Sequence, residues 1–162
     1  MIKNILIYLA IPILALFVPL SPAPAKEALP EISGWINGEL RMTEFDTVSG
    51  KRGLWLERNY RNNAGVPFHA VWIEGSGEKG WSPSDKAISA DDGPLGNGAT
   101  YRTISIDEQK ALLEYHPVTG LSLSVKAGIK GTLTLESNIA NEEEIISAAQ
   151  TLINEILKGD PQ

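Results

Sequence analysis

His69 and His116 are the only two histidines in this 162-residue chain, and histidine is the side chain best suited to exchange protons near neutral pH. Glu114 stands two places before His116, so on a strand both would project from one face. Gathered by folding, His69, His116 and Glu114 could hold a metal or relay a proton in a hydrolase. A plainer reading is stronger. His69 sits in an apolar alternation with Val71 and Ile73, as a satisfied strand residue would, and His116 meets Pro117 at the edge of a turn. Zinc would need further ligands, and the spacing of the remaining residues points to none. Asp91-Asp92-Gly93 through Asn97 has the composition of a calcium loop, but not the Asp-x-Asp-x-Asp-Gly order with a later Glu. It reads as a solvated turn.

Other catalytic signatures are missing from the sequence. There is no Gly-x-Ser-x-Gly elbow, no Gly-x-x-x-x-Gly-Lys-Ser/Thr phosphate loop and no His-Glu-x-x-His helix. The chain has no cysteine, which excludes disulfides, thiolate metal sites, a cysteine nucleophile and lipidation on cysteine. The expectation is therefore a protein without metal or cofactor.

Binding is the better-supported chemistry. Gly75 to Ala99 is rich in glycine and aspartate and lacks apolar periodicity; connections of this length in small domains are commonly functional or disordered. Trp81 opens it. A rigid aromatic supplies contact area at low entropic cost. Trp55 alternates with Leu54 and Leu56 and so faces away from them, whereas Trp72 shares the face of Phe68 and belongs to a core. Trp81, Asp85, Asp91, Asp92, Asn97 and Trp55 are the candidate binding residues. The competing reading folds Trp81 over a sheet edge as a plug. Arg58, Tyr60, Arg61 and Arg102 form a candidate polar rim, or ordinary strand decoration.

A scaffold for these residues is written in period-two patterns separated by turn residues. Strands are expected over Gly38–Phe45, Gly53–Arg61, Val66–Glu74, Tyr101–Ile106, Ala111–His116, Leu121–Ala127 and Thr132–Glu136. Pro67 must stand at the start of its strand, since it cannot donate to a ladder. Leu121, Leu123, Val125, Leu133 and Leu135 line one face of the last two, opposite Ser, Thr, Lys and Glu. A helix then begins at Asn141, with Glu144 completing a capping box and Glu142 to Glu144 complementing the dipole. Ile145, Ile146, Ala149, Leu152, Ile153, Ile156 and Leu157 make its apolar stripe, and Gly159 and Pro161 end it. The predicted class is α+β: a curved antiparallel sheet of about seven strands in mostly meander order, packed against one C-terminal helix.

The leading residues carry an address. Lys3, the apolar run Ile5–Leu20 and the small residues Ala23-Pro24-Ala25 read as a secretory signal peptide. The run contains Pro12 and Pro19 and falls short of the about 20 apolar residues of a spanning helix. The division is thus 1–25 signal peptide and 26–162 a single exported domain, periplasmic or secreted, with Lys26–Pro30 as a mobile lead-in. With 14 Lys and Arg against 20 Asp and Glu, the chain is repelled by phosphate backbones, so no nucleic-acid partner is expected, and signal cleavage would leave no stable membrane span. The functional expectation is a non-enzymatic domain that binds a protein or envelope component through Gly75–Ala99. The alternatives are a carrier of a small apolar ligand between sheet and helix, and the hydrolase. Mass spectrometry of exported protein is expected to give a mature chain starting at Lys26; retention of Met1–Ala25 would overturn the cleavage.

Overall fold

The computed structural model describes residues 28–46, 52–75, 83, 89–91, 98–127 and 131–158. Among the described residues, nine strands and one helix follow one another along the chain. They are β1 (Ile36–Asn37), β2 (Arg41–Asp46), β3 (Arg52–Arg61), β4 (Pro67–Gly75), β5 (Ser89–Asp91), β6 (Thr100–Ile106), β7 (Gln109–His116), β8 (Gly120–Ala127), β9 (Gly131–Ser137) and α1 (Glu142–Lys158). All described pairings are antiparallel. The sheet order is β1-β3-β4-β9-β8-β7-β6-β5, and β2 shares the free side of β3 with β1.

The expected strands are all present, with ends shifted by up to three residues at Arg41. Two short strands lie outside the expected set. β1 is two residues long, and β5 interrupts the Gly75–Ala99 stretch by pairing Ser89–Asp91 with Arg102–Thr100. The order is a meander from β6 to β9 and another from β2 to β4. They are joined side by side, because β9 returns to pair with β4.

Alternation explains the layers. Leu56, Tyr60, Phe68, Ala70, Trp72, Leu113, Leu123, Val125, Leu133 and Leu135 point to one face and are buried in a single cluster. The Phe45 ring lies over Gly53 of the adjacent strand, where a Cβ would collide with it. That pairing covers a strand glycine with an aromatic. Turn chemistry sets the hairpins. Asp107 and Glu108 both have positive φ, 44° and 67°, as a two-residue hairpin turn requires. Gly120 (φ 87°) ends a three-residue turn opposite His116. A Cβ there would run into the Ser137 carbonyl and Asn138.

The helix is capped as its sequence demands. Glu144 N donates to Asn141 Oδ1 at 2.9 Å, and Asn141 N donates to Glu144 Oε2 at 2.8 Å. Arg102 of β6 forms an ion pair with Glu142 in the first turn. Ile145, Ala148, Ala149, Leu152 and Ile153 are buried, and α1 packs on β8, β9 and β6. Leu157 of the expected stripe is partly exposed. At about 100° per residue it is rotated by roughly 120° from Ile145, outside the contact face.

The helix leaves β3 and β4 uncovered on the core face, and the chain before β1 closes that gap. Leu29 and Ile32 are buried, so the expectation of a mobile lead-in fails at Leu29. Trp35 stacks on Phe68 with centroids 6.1 Å apart, and meets Tyr60 edge-on at 5.9 Å. Tyr60 Oη donates to the Pro30 carbonyl at 2.9 Å. Asn37 holds the bend by accepting from Ile32 N at 2.8 Å and donating to Ile32 O at 3.1 Å.

Ile153 is completely buried, so Ile153→Asp places an unpaired charge in the core and is expected to abolish the cooperative thermal transition. A melt like that of the parent chain would mean that the helix does not dock here. Glu108→Gly removes the strain of a left-handed glutamate and should stabilise the fold by about 0.5 to 1 kcal/mol in urea titration. A loss of stability would show that the Glu108 side chain contributes more than its backbone strain costs.

Candidate functional site

A groove of about 530 Å³ opens where β3, β4 and β9 end, beneath the turn from β7 to β8. Register brings its walls together. Tyr60 pairs with Phe68, Arg61 with Pro67 and His69 with Glu136, while Leu121 of β8 stands opposite Ser137. Tyr60 and Phe68 face the core and give the groove an apolar floor; Arg61, His69 and Glu136 face the other way and give it a polar wall. Ser137 locks the end. Its Oγ donates to the Pro67 carbonyl at 2.7 Å and accepts from Ala140 N at 3.1 Å, which ties the start of β4 to the approach to the helix.

Three large aliphatics stand exposed around this end. Ile36 lines the groove and is 69% exposed; Val118 and Ile139, at 82% and 65%, each adjoin a lining residue, Thr119 and Asn138 respectively.

The polar wall is organised around His69. Its Nδ1 lies 3.0 Å from Asn59 Oδ1, so Nδ1 carries the hydrogen and donates to that oxygen. Its Nε2 faces Glu57 Oε2 at 3.9 Å, and Glu57 Oε1 lies 3.8 Å from Arg41 Nη1. The Arg41–Glu57 ion pair is long and open to solvent, so it orients the side chains more than it stabilises the fold. Arg61 Nη1 donates to the Gly65 carbonyl at 2.8 Å across the turn that follows β3.

His116 does a different job. Its Nδ1 accepts from Val118 N at 3.1 Å and Thr119 N at 3.3 Å, which staples its own turn. β9 and β8 lie between the strands of His69 and His116, roughly 14 Å along the sheet at about 4.8 Å per strand. The two imidazoles therefore do not converge. Among the described residues, no three His, Asp or Glu side chains gather closely enough to hold a metal.

Of the candidate binding residues, Trp81, Asp85, Asp92 and Asn97 lie outside the described residues. Trp55 is on the face away from the core, between Thr43 and Ile73, and is 39% exposed. Asp91 ends β5 opposite Thr100. In the sheet order β4, β9, β8, β7 and β6 separate Trp55 from Asp91, so the sheet does not bring these two together. The candidate polar rim is split by alternation: Arg58 and Tyr60 point to the core face and are buried, Tyr60 as part of the groove floor, Arg102 meets the helix, and Arg61 stands in the polar wall of the groove. Ile36 and Glu136 carried no signal in the sequence. The one available hint was Val118, a β-branched residue at a turn, where it fits neither a core nor the usual turn chemistry. No family model matches the chain, and neither the curated proteins nor the solved structures contain a match.

Proposed function

We propose that this chain is a non-enzymatic exported domain that captures a protein or envelope partner at the groove end of its sheet. The observation that carries the reading is the set of exposed aliphatics at this end of the sheet, Ile36 in the lining of an open groove and Val118 and Ile139 each next in sequence to a lining residue, beside a wall that holds oriented polar groups. Apolar side chains held rigidly on strand ends and turns, beside a few fixed donors and acceptors, are what a binding site needs. The Gly75–Ala99 region belongs to the same proposal. Register places Thr100, Tyr115, Leu121 and Ser137 in one row, so the chain leaving that region re-enters the sheet at the end where the groove lies. The acidic balance favours a partner with a basic surface. No helix among the described residues is long and apolar enough to cross a membrane.

The space between sheet and helix is filled differently. Ile145, Ala149, Leu152 and Ile153 meet Leu123, Val125, Leu133 and Leu135 there, all fully buried. The groove, by contrast, is open at the surface.

Ile36→Asp and Val118→Asp alter exposed positions and should leave the melting temperature within a few degrees of the parent. Together they should weaken crosslinking capture of the partner by about tenfold or more, the scale of losing a well-packed aliphatic anchor. Unchanged capture by a folded double variant would refute the site.

A further inference from the structure

We infer that the groove takes the C-terminal end of a partner chain, with the terminal carboxylate on Arg61, an aliphatic side chain against Ile36, and a basic residue upstream on Glu136. The inference rests on the binding reading above and names the chemistry of the partner.

Arg61 is exposed at the groove, and Nη1 is already committed to the Gly65 carbonyl. That bond fixes the plane of the guanidinium and leaves Nε and Nη2 as the free edge. Two parallel N–H donors in that arrangement match a carboxylate bidentately. Glu136 stands on the other side of the groove, exposed, and forms no ion pair among the described residues. The nearest ring, His69, is turned toward Asn59 and Glu57 instead.

Register sets the spacing. Arg61 is opposite Pro67 and Glu136 opposite His69, on the two strands that flank β4. Two strand separations and two residues of rise put their backbones roughly 12 Å apart. An extended chain rises about 3.3 Å per residue, so a carboxylate at Arg61 places the third or fourth upstream side chain near Glu136. The groove volume of about 530 Å³ accommodates a segment of that length. Ile36, at 69% exposure, lies along the same groove and supplies the apolar contact for the side chain next to the carboxylate. A positive upstream group also suits the acidic chain as a whole.

The probe is acetyl-Lys-Ala-Ala-Val with a free carboxylate, titrated into the mature domain and followed by amide chemical shifts. Shifts are expected at Ile36, Arg61, His69 and Glu136, and the C-terminal amide of the same peptide should bind about tenfold more weakly, the value of a charge-assisted bidentate pair. Arg61→Gln should erase the difference between acid and amide, Arg61→Lys should restore part of it, and Glu136→Gln should remove the preference for Lys over Ala at the first position. Equal binding of acid and amide to the parent domain overturns the inference. If neither peptide binds while the Ile36→Asp, Val118→Asp variant still loses its partner, the carboxylate chemistry is wrong and the binding site stands. If neither peptide binds and that variant keeps its partner, both readings fall.

Discussion

The groove exists because β4 accepts β9 as its neighbour. Two runs of antiparallel hairpins, β2 to β4 and β6 to β9, would otherwise be separate ribbons, each with an open edge. Pairing His69–Glu74 with Glu136–Gly131 welds them into one sheet. The register of that weld is over-determined. Ala70 faces Leu135 and Trp72 faces Leu133 on the buried side, while Val71 faces Thr134 on the other. A slip of one residue would turn every one of those side chains to the opposite face. The same register sets His69 beside Glu136 and brings the end of β3 level with the end of β9. The groove is therefore a consequence of core packing, and no flexible segment is needed to assemble it.

The core that enforces this pairing has two lids. α1 covers β8, β9 and β6, and the segment from Leu29 to Trp35 covers β3 and β4. Each fully buried Leu or Ile contributes about 1.5 to 3 kcal/mol gross, and a chain without disulfides depends on such contacts for its stability. The second lid also bears on the site. Tyr60 is held by Pro30 and Trp35, and Tyr60 is the floor of the groove beside Arg61. Tension on the N-terminal segment would thus be felt at the groove through the Tyr60 hydrogen bond, the two aromatic contacts of Trp35 and Ile36 itself.

Much of this architecture is legible residue by residue. The Asn141–Glu144 capping box forms as its spacing demands, and the alternation of Leu121–Val125 and Leu133–Leu135 assigns the buried face correctly. Local patterns reveal local structure. β1 and β5 escape notice because two or three residues cannot show a period. The β4–β9 pairing escapes because nothing within either strand names its partner; it is decided by which apolar faces can share one core. The buried Leu29 was hidden for a similar reason. Pro30 and the charges around it look like a lead-in until the uncovered half of the sheet is known. The groove was least legible of all, since Ile36, Arg61, Thr119 and Glu136 come from four separate stretches and meet only at strand ends and a turn.

The placement of those residues makes sense once stability and function are weighed separately. Ile36, Val118 and Ile139 are mostly exposed, and Val118 and Ile139 occupy turn and pre-helix positions where Asn, Asp, Ser or Gly would serve the backbone better. Elsewhere the chain follows local rules closely: glycine at the φ 87° position of the β7–β8 turn, serine at the buried link between β9 and β4, asparagine at the helix cap. Departures from such consistency concentrate at sites that serve something other than folding. Glu108 is a departure too, but it strains only its own turn and lies at the opposite end of the sheet, with no exposed large apolar residue beside it in sequence. Three solvent-facing aliphatics at the groove end of the sheet are harder to explain by backbone geometry. The proposed contact surface would give all three a single cause.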